Sequence, residues 1–123
     1  MKRILFVDDD KSMRYLHSQM LEGESYDVHV ACDGQEALDY LKIAPVDLVI
    51  TDILMPEIDG FELMMEIRKN HPKIKVVAIS GGGRLGPNEY LKLADQLGAT
   101  FTLQKPYKKE ELISMIHKIL NEN

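Results

Sequence analysis

The chain has 123 residues, 45% of them hydrophobic and 28% charged, with a formal net charge of -5 and a single cysteine. That length suits one domain with its own core. The acidic balance argues against nucleic-acid binding, which depends on Lys and Arg neutralising phosphates, one cysteine excludes an internal disulfide, and no apolar run approaches the roughly 18 residues of a membrane span.

Met1-Lys-Arg3 is followed by only four apolar residues before Asp8, too few for a signal peptide, so a cytoplasmic protein without membrane insertion is expected. Ile4 to Val7 is a continuous apolar run and predicts the first strand. Across Lys11 to Glu22, the apolar positions Met13, Leu16, Met20 and Leu21 fall at helical spacing, with the helix ending near Gly23. Tyr26 to Ala31 alternates as a second strand, less apolar than the first and so nearer a sheet edge. Asp33-Gly34 turns the chain into a short helix marked by Ala37, Leu38 and Leu41.

Val46 to Thr51 predicts the third strand. A loop with Met55-Pro56 and Asp59-Gly60 leads to a helix that turns Phe61, Leu63, Met64 and Ile67 inward and ends near Pro72. Lys75 to Ser80 is the fourth strand, Asn88 to Leu97 the fourth helix closed by Gly98, and Thr100 to Leu103 the fifth strand. Leu112, Ile113, Ile116, Ile119 and Leu120 give the last helix an apolar stripe. Five strand and helix units in series imply a parallel sheet with helices on both faces. The apolar runs of strands one, three and four suit strands covered on both sides.

In open sheets of this class, ligands sit beyond the carboxyl ends of the strands. Asp8, Asp9 and Asp10, Asp52, Ser80 and Lys105-Pro106 all lie at such ends. Two unit charges about 4 Å apart repel by roughly 4 kcal/mol at an effective dielectric near 20, so clustered carboxylates call for a cation. An all-oxygen nest suits a hard ion such as Mg2+. Beside it, Lys105 can bring an ammonium and Ser80 a hydroxyl to a transferring phosphoryl group, with Asp52 as its acceptor.

The arrangement resembles the receiver domain of two-component response regulators, from Lys2 to about Leu120. The matching segments are Ile4-Leu-Phe-Val-Asp-Asp-Asp10, Asp47-Leu-Val-Ile-Thr-Asp-Ile-Leu-Met-Pro-Glu-Ile-Asp-Gly60, Val77-Ala-Ile-Ser80 and Gln104-Lys-Pro-Tyr107. The resemblance implies a flavodoxin-like, doubly wound (βα)5 fold with strand order 2-1-3-4-5. By the same resemblance Asp52 is the phosphoacceptor, Asp8, Asp9, Asp52 and the backbone carbonyl of Leu54 hold Mg2+, Ser80 is the switch hydroxyl, and Lys105 pairs with the phosphoryl group and precedes a cis peptide to Pro106. The donor is then a sensor histidine kinase or histidine phosphotransfer protein, met at the face around the first helix. The output surface is the fourth helix, fifth strand and fifth helix, including Tyr107, read by a downstream target protein. Residues 1–123 read as a single receiver domain, a regulator and not an enzyme, with no output domain.

Two departures from the family pattern stand out. The position three before the lysine, usually aromatic, is Thr102, and Phe101 falls on the opposite face of its strand. The glycine-rich loop Gly81-Gly-Gly-Arg-Leu-Gly-Pro87 is longer than usual, and its flexibility is expected to carry the signal instead. Its G-x-G-x-x-G spacing sits in the fourth unit, with no acidic partner about twenty residues on, which argues against nucleotide binding.

Other features have plainer readings. His17, His29, His71 and His117 lack metal-site spacing and read as surface or helix-face residues. Asp59-Gly60 reads as a turn and helix start, Cys32 as an unreactive thiol and the methionines as core filling. Asp10 is open between support of the metal site and a helix cap. Two other functions compete with the receiver reading: a Mg2+-dependent phosphohydrolase with an aspartyl-phosphate intermediate, and a phosphorylation-independent docking module. Leu54 stands where the hydrolase would favour a second acid/base Asp.

Overall fold

The computed structural model describes residues 1–53, 60–80, 92, 96 and 98–121. The apolar runs form β1 (Lys2–Val7), β3 (Leu48–Asp52) and β4 (Lys75–Ser80), which occupy the middle of a parallel sheet. The less apolar β2 (Tyr26–Ala31) and the short β5 (Phe101–Gln104) take its edges, giving the order β2-β1-β3-β4-β5. Strands covered on both sides need apolar residues at successive positions, and edge strands do not. The helices are α1 (Lys11–Met20), α2 (Gly34–Ile43), α3 (Gly60–Asn70) and, at the C-terminal end of the described chain, α4 (Lys109–Asn121).

Alternation along the central strands divides the core in two. Leu5, Val7, Val49, Ile53 and Ala78 pack with Ala37 and Leu41 of α2 and Leu63, Met64 and Ile67 of α3. Ile4, Phe6, Leu48, Ile50, Val77 and Ile79 pack with Leu21 and with Leu112, Ile116 and Ile119 of α4. Successive side chains of one strand thus serve opposite layers.

Helix starts are set by carboxylates. Asp10 caps α1 by accepting from the Ser12 N–H at 2.8 Å, and Asp33 caps α2 by accepting from the Glu36 N–H at 2.7 Å. Each such cap stabilises by about 1 kcal/mol. Glu36 in turn accepts from the Cys32 N–H at 3.2 Å, and its hydrogen bond to the sulfur, helped by burial, pushes the thiol up to about 11. Such a thiol stays protonated and is a poor nucleophile.

Several expectations need correction. β3 starts at Leu48 instead of Val46 and includes Asp52, and β5 is shifted one residue to Phe101–Gln104. Of the apolar positions at helical spacing in α1, Leu16 is 43% exposed, and the residue turned inward is His17, which is 1% exposed. A line through Met13, His17 and Leu21 follows the i, i+4 geometry of the helix and leaves Leu16 to one side. Burial of an imidazole there becomes tolerable because it stacks on Phe6 of β1, with centroids 4.5 Å apart. His17 is therefore not a surface histidine. The glycine-rich loop at 81–87 and most of the helix expected over 88–97 lie outside the described residues; Lys92 and Gln96 are helical.

Candidate functional site

Parallel pairing brings four strand ends to one edge. Val7 pairs with Ala31 on one side and Thr51 on the other, so Asp8 and Asp52 emerge beside each other. Asp52 pairs with Ile79 and Ser80 with Gln104, which carries the register across to Lys105. Backbone bonds continue the ladder beyond the strands: Asp8 N–H donates to Ala31 O at 3.1 Å, Ile53 N–H to Ile79 O at 3.0 Å, and Lys105 N–H to Ser80 O at 2.8 Å.

At that edge, one carboxylate oxygen each from Asp8, Asp9 and Asp52 lies within 4.8 Å of the others. Asp8 is buried, Asp52 half-buried and Asp9 exposed. Burial pushes the Asp8 carboxyl above its usual range, and the neighbouring Asp52 and Asp9 add to the rise; a hydrogen bond from Asp10 N–H and the Lys105 ammonium oppose it. Arg14 ties the same turn down by donating to the Asp8 carbonyl at 2.8 Å. Close, partly desolvated oxygens with mutual repulsion fit a small divalent cation.

The Lys105 ammonium meets Asp52 Oδ2 at 3.0 Å. The Lys105-Pro106 peptide is cis, as the resemblance implied. Ser80 is 1% exposed, and its hydroxyl has no hydrogen-bond partner among the described residues. Gly60, at the start of α3, packs directly under the third strand's end: a Cβ there would lie 2.5 Å from the Asp52 carbonyl oxygen and 2.6 Å from Ile53 Cα. Asp8, Asp9, Asp52 and Lys105 are thus gathered, with Ser80 ending the neighbouring strand, while Leu54 lies outside the described residues. Asp10 serves as the helix cap.

The model of the response regulator receiver domain matches residues 4–117. The chain belongs to the response regulator receiver family. It is 34% identical over 120 residues to the response regulator receiver protein CpdR of Brucella abortus, with 98% of each chain covered. Against the transcriptional regulatory protein CpxR of Escherichia coli it is 35% identical over 123 residues, covering all of this chain but 51% of CpxR. The chain therefore spans about half the length of the CpxR proteins it matches.

Among solved structures, a CheY-like receiver domain from Methanospirillum hungatei superposes with a TM-score of 0.90 at 31% identity, covering 99% of this chain and 95% of that one. Chemotaxis protein CheY4 of Vibrio cholerae gives 0.86 at 30%, covering 98% and 99%. Receiver domains are regulatory, phospho-accepting domains that work with histidine kinases or phosphotransfer proteins. Among the described residues, no helix of this receiver is long and apolar enough to cross a membrane.

His17 is what sequence reasoning missed beside this receiver site. Its ring lies between Phe6, two residues before Asp8, and Tyr107, two residues after Lys105. Its signal was a polar residue on the apolar line between Met13 and Leu21.

Proposed function

We propose that this receiver domain, residues 1–123, accepts a phosphoryl group on the Asp52 carboxylate from a sensor histidine kinase or a histidine phosphotransfer protein, and signals through protein contacts that depend on that group. The observation that carries the reading is the Lys105 ammonium held 3.0 Å from Asp52 beside two further carboxylates. A cation and an acidic cluster on one half-buried carboxylate suit the arrival of a dianionic group there.

Asp8, Asp9, Asp52 and the Leu54 carbonyl would hold Mg2+, whose charge would offset the repulsion between the carboxylates and an incoming phosphoryl group. An Asp52 oxygen forms a bond to phosphorus as the phosphorus–nitrogen bond to the donor histidine breaks, and the departing ring nitrogen keeps the electron pair and gains a proton. Lys105 follows the new charge from the carboxylate to a phosphoryl oxygen. The Ser80 hydroxyl, without a partner among the described residues, donates to another. A shift of a few kcal/mol between two conformations is enough for a downstream protein to distinguish the modified state.

Incubation with Mg2+ and acetyl phosphate tests this directly. The intact protein should gain the mass of one phosphoryl group, and the gain should vanish in Asp52→Asn and on chelation of Mg2+. No gain in the native chain, with a known receiver labelled in parallel, would overturn the proposal and favour a docking module. Turnover of small phosphomonoesters that survives Asp52→Asn would point to a hydrolase.

A further inference from the structure

His17 and Tyr107 form a buried contact that the phosphoryl-accepting reading leaves unused. His17 is 1% exposed, its Nε2 is hydrogen-bonded to the Tyr107 hydroxyl, and its Nδ1 has no partner among the described residues. The imidazole stacks on Phe6 at 4.5 Å and 8°, and meets Tyr107 edge to edge through that hydrogen bond, the two rings nearly parallel at 7° with centroids 5.9 Å apart. Three rings from β1, α1 and the segment after β5 are thus linked, the first two by stacking and the last two by a hydrogen bond. Burying an imidazole with one nitrogen unpaired among the described residues is unfavourable, so the linked rings call for an account beyond filling space.

The linked rings join the chain next to the site at both ends. Phe6 precedes Asp8 by two residues and Tyr107 follows Lys105 by two. Lys105 is held on the β4 side by its N–H bond to the Ser80 carbonyl at 2.8 Å. On the α1 side the hold comes from Tyr107 on His17. A lysine side chain has four rotatable bonds, so where its ammonium dwells depends on how firmly its backbone is anchored.

We infer that His17, through the Tyr107 hydroxyl, is a positioning residue that holds the Lys105 segment so that its ammonium stays at Asp52. The electrostatics agree with the geometry. Burial and the Lys105 charge push the imidazole down to about 4, so it is neutral at working pH. Burial, with the Asp8 and Asp52 carboxylates, keeps the phenol protonated. A neutral imidazole and an un-ionised phenol share one hydrogen bond without bringing a second cation beside Lys105.

The inference rests on the receiver reading only for its kinetic consequence, and two readouts separate the two. Tyr107→Phe deletes one oxygen and keeps the ring; His17→Phe keeps a stacked ring and deletes the nitrogen. Each should slow labelling of Asp52 by acetyl phosphate with Mg2+ by about three- to tenfold, the effect of losing one hydrogen bond. The double variant should be no slower than the slower single one, because both remove the same bond. In the unmodified protein, the nitrogen-15 ammonium resonance of Lys105 should shift in both variants, and His17→Gln, which offers the phenol an amide, should restore part of that shift.

Wild-type labelling and an unmoved Lys105 resonance in Tyr107→Phe would overturn the inference. If His17→Phe fails to fold, Tyr107→Phe decides alone. If the unaltered protein is not labelled at all, the phosphoryl-accepting reading fails, and the Lys105 resonance still decides whether His17 positions that lysine.

Discussion

Ser80 carries a buried hydroxyl with no partner among the described residues, and a group in that state costs about 1–3 kcal/mol relative to a satisfied one. Ser80→Ala should therefore leave stability unchanged or raise it slightly in urea titration while weakening the response to phosphorylation. A loss above about 2 kcal/mol would mean that the hydroxyl is already bonded in the unmodified state. Asp8 presents the opposite case, a carboxylate held where burial and like charges disfavour ionisation. Without Mg2+, Asp8→Asn should be as stable as the native protein; with Mg2+, the proposed site predicts a rise in melting temperature for the native protein and none for Asp8→Asn, since binding to the folded state alone stabilises it. Calorimetry with and without Mg2+ reads both.

His17 adds a pH dependence with a definite sign. Its folded value of about 4 lies below the ordinary 6.5, so between these pH values the unfolded chain binds the extra proton. Stability from this group is fully present above pH 6.5 and is lost as pH falls towards 4, by an amount of order 3 kcal/mol. The groups facing the imidazole are Lys105, which opposes its protonation, and Tyr107, which stays neutral there. Urea unfolding at several pH values should show a shallower slope in His17→Phe than in the native chain; equal slopes would refute it.

At the scale of elements, α3 is placed by one missing side chain. Gly60 N–H donates to Ile53 O at 2.9 Å, and any Cβ would meet the backbone of Asp52 and Ile53. Gly60→Ala should destabilise by about 1–3 kcal/mol, because backbone on both sides must give way. It should also slow Asp52 labelling, since the displaced backbone carries that residue. The sequence announced a turn and helix start here through Asp59-Gly60 but not the close approach, which depends on how α3 packs across β3. Periodicity found the bounds of β2 and β4, where turn residues punctuate the pattern. It misplaced β3 and β5 by one or two residues, because strand ends follow pairing partners more than hydropathy. Within α1 it chose Leu16 over His17, since hydropathy cannot foresee an aromatic ring waiting on another element.

At the scale of the molecule, the site exists because residues far apart in the chain end their strands on one edge. Lys105 and Asp52 are 53 positions apart, and His17 and Tyr107 are 90 apart. The order β2-β1-β3-β4-β5 places β1 and β3 side by side, which is why Asp8, Asp9 and Asp52 converge. A beryllofluoride adduct at Asp52 should therefore change which proteins the whole domain retains in a pull-down, relative to Asp52→Ala. Identical retention would support docking that ignores phosphorylation.

By itself the sequence determined the alternation of strands and helices, the apolar runs that must be central, and the residue types of the site, because these follow from local periodicity and from carboxylates, a hydroxyl and a lysine placed at strand ends. Only the tertiary structure decided that Asp10 is a cap, that the Ser80 hydroxyl is buried without a described partner, that Gly60 underlies Asp52, and that His17 faces inward against Phe6 and Tyr107. Each of those depends on what a distant segment brings into contact, and free energy of contact is a property of the pair, not of either residue's place in the chain.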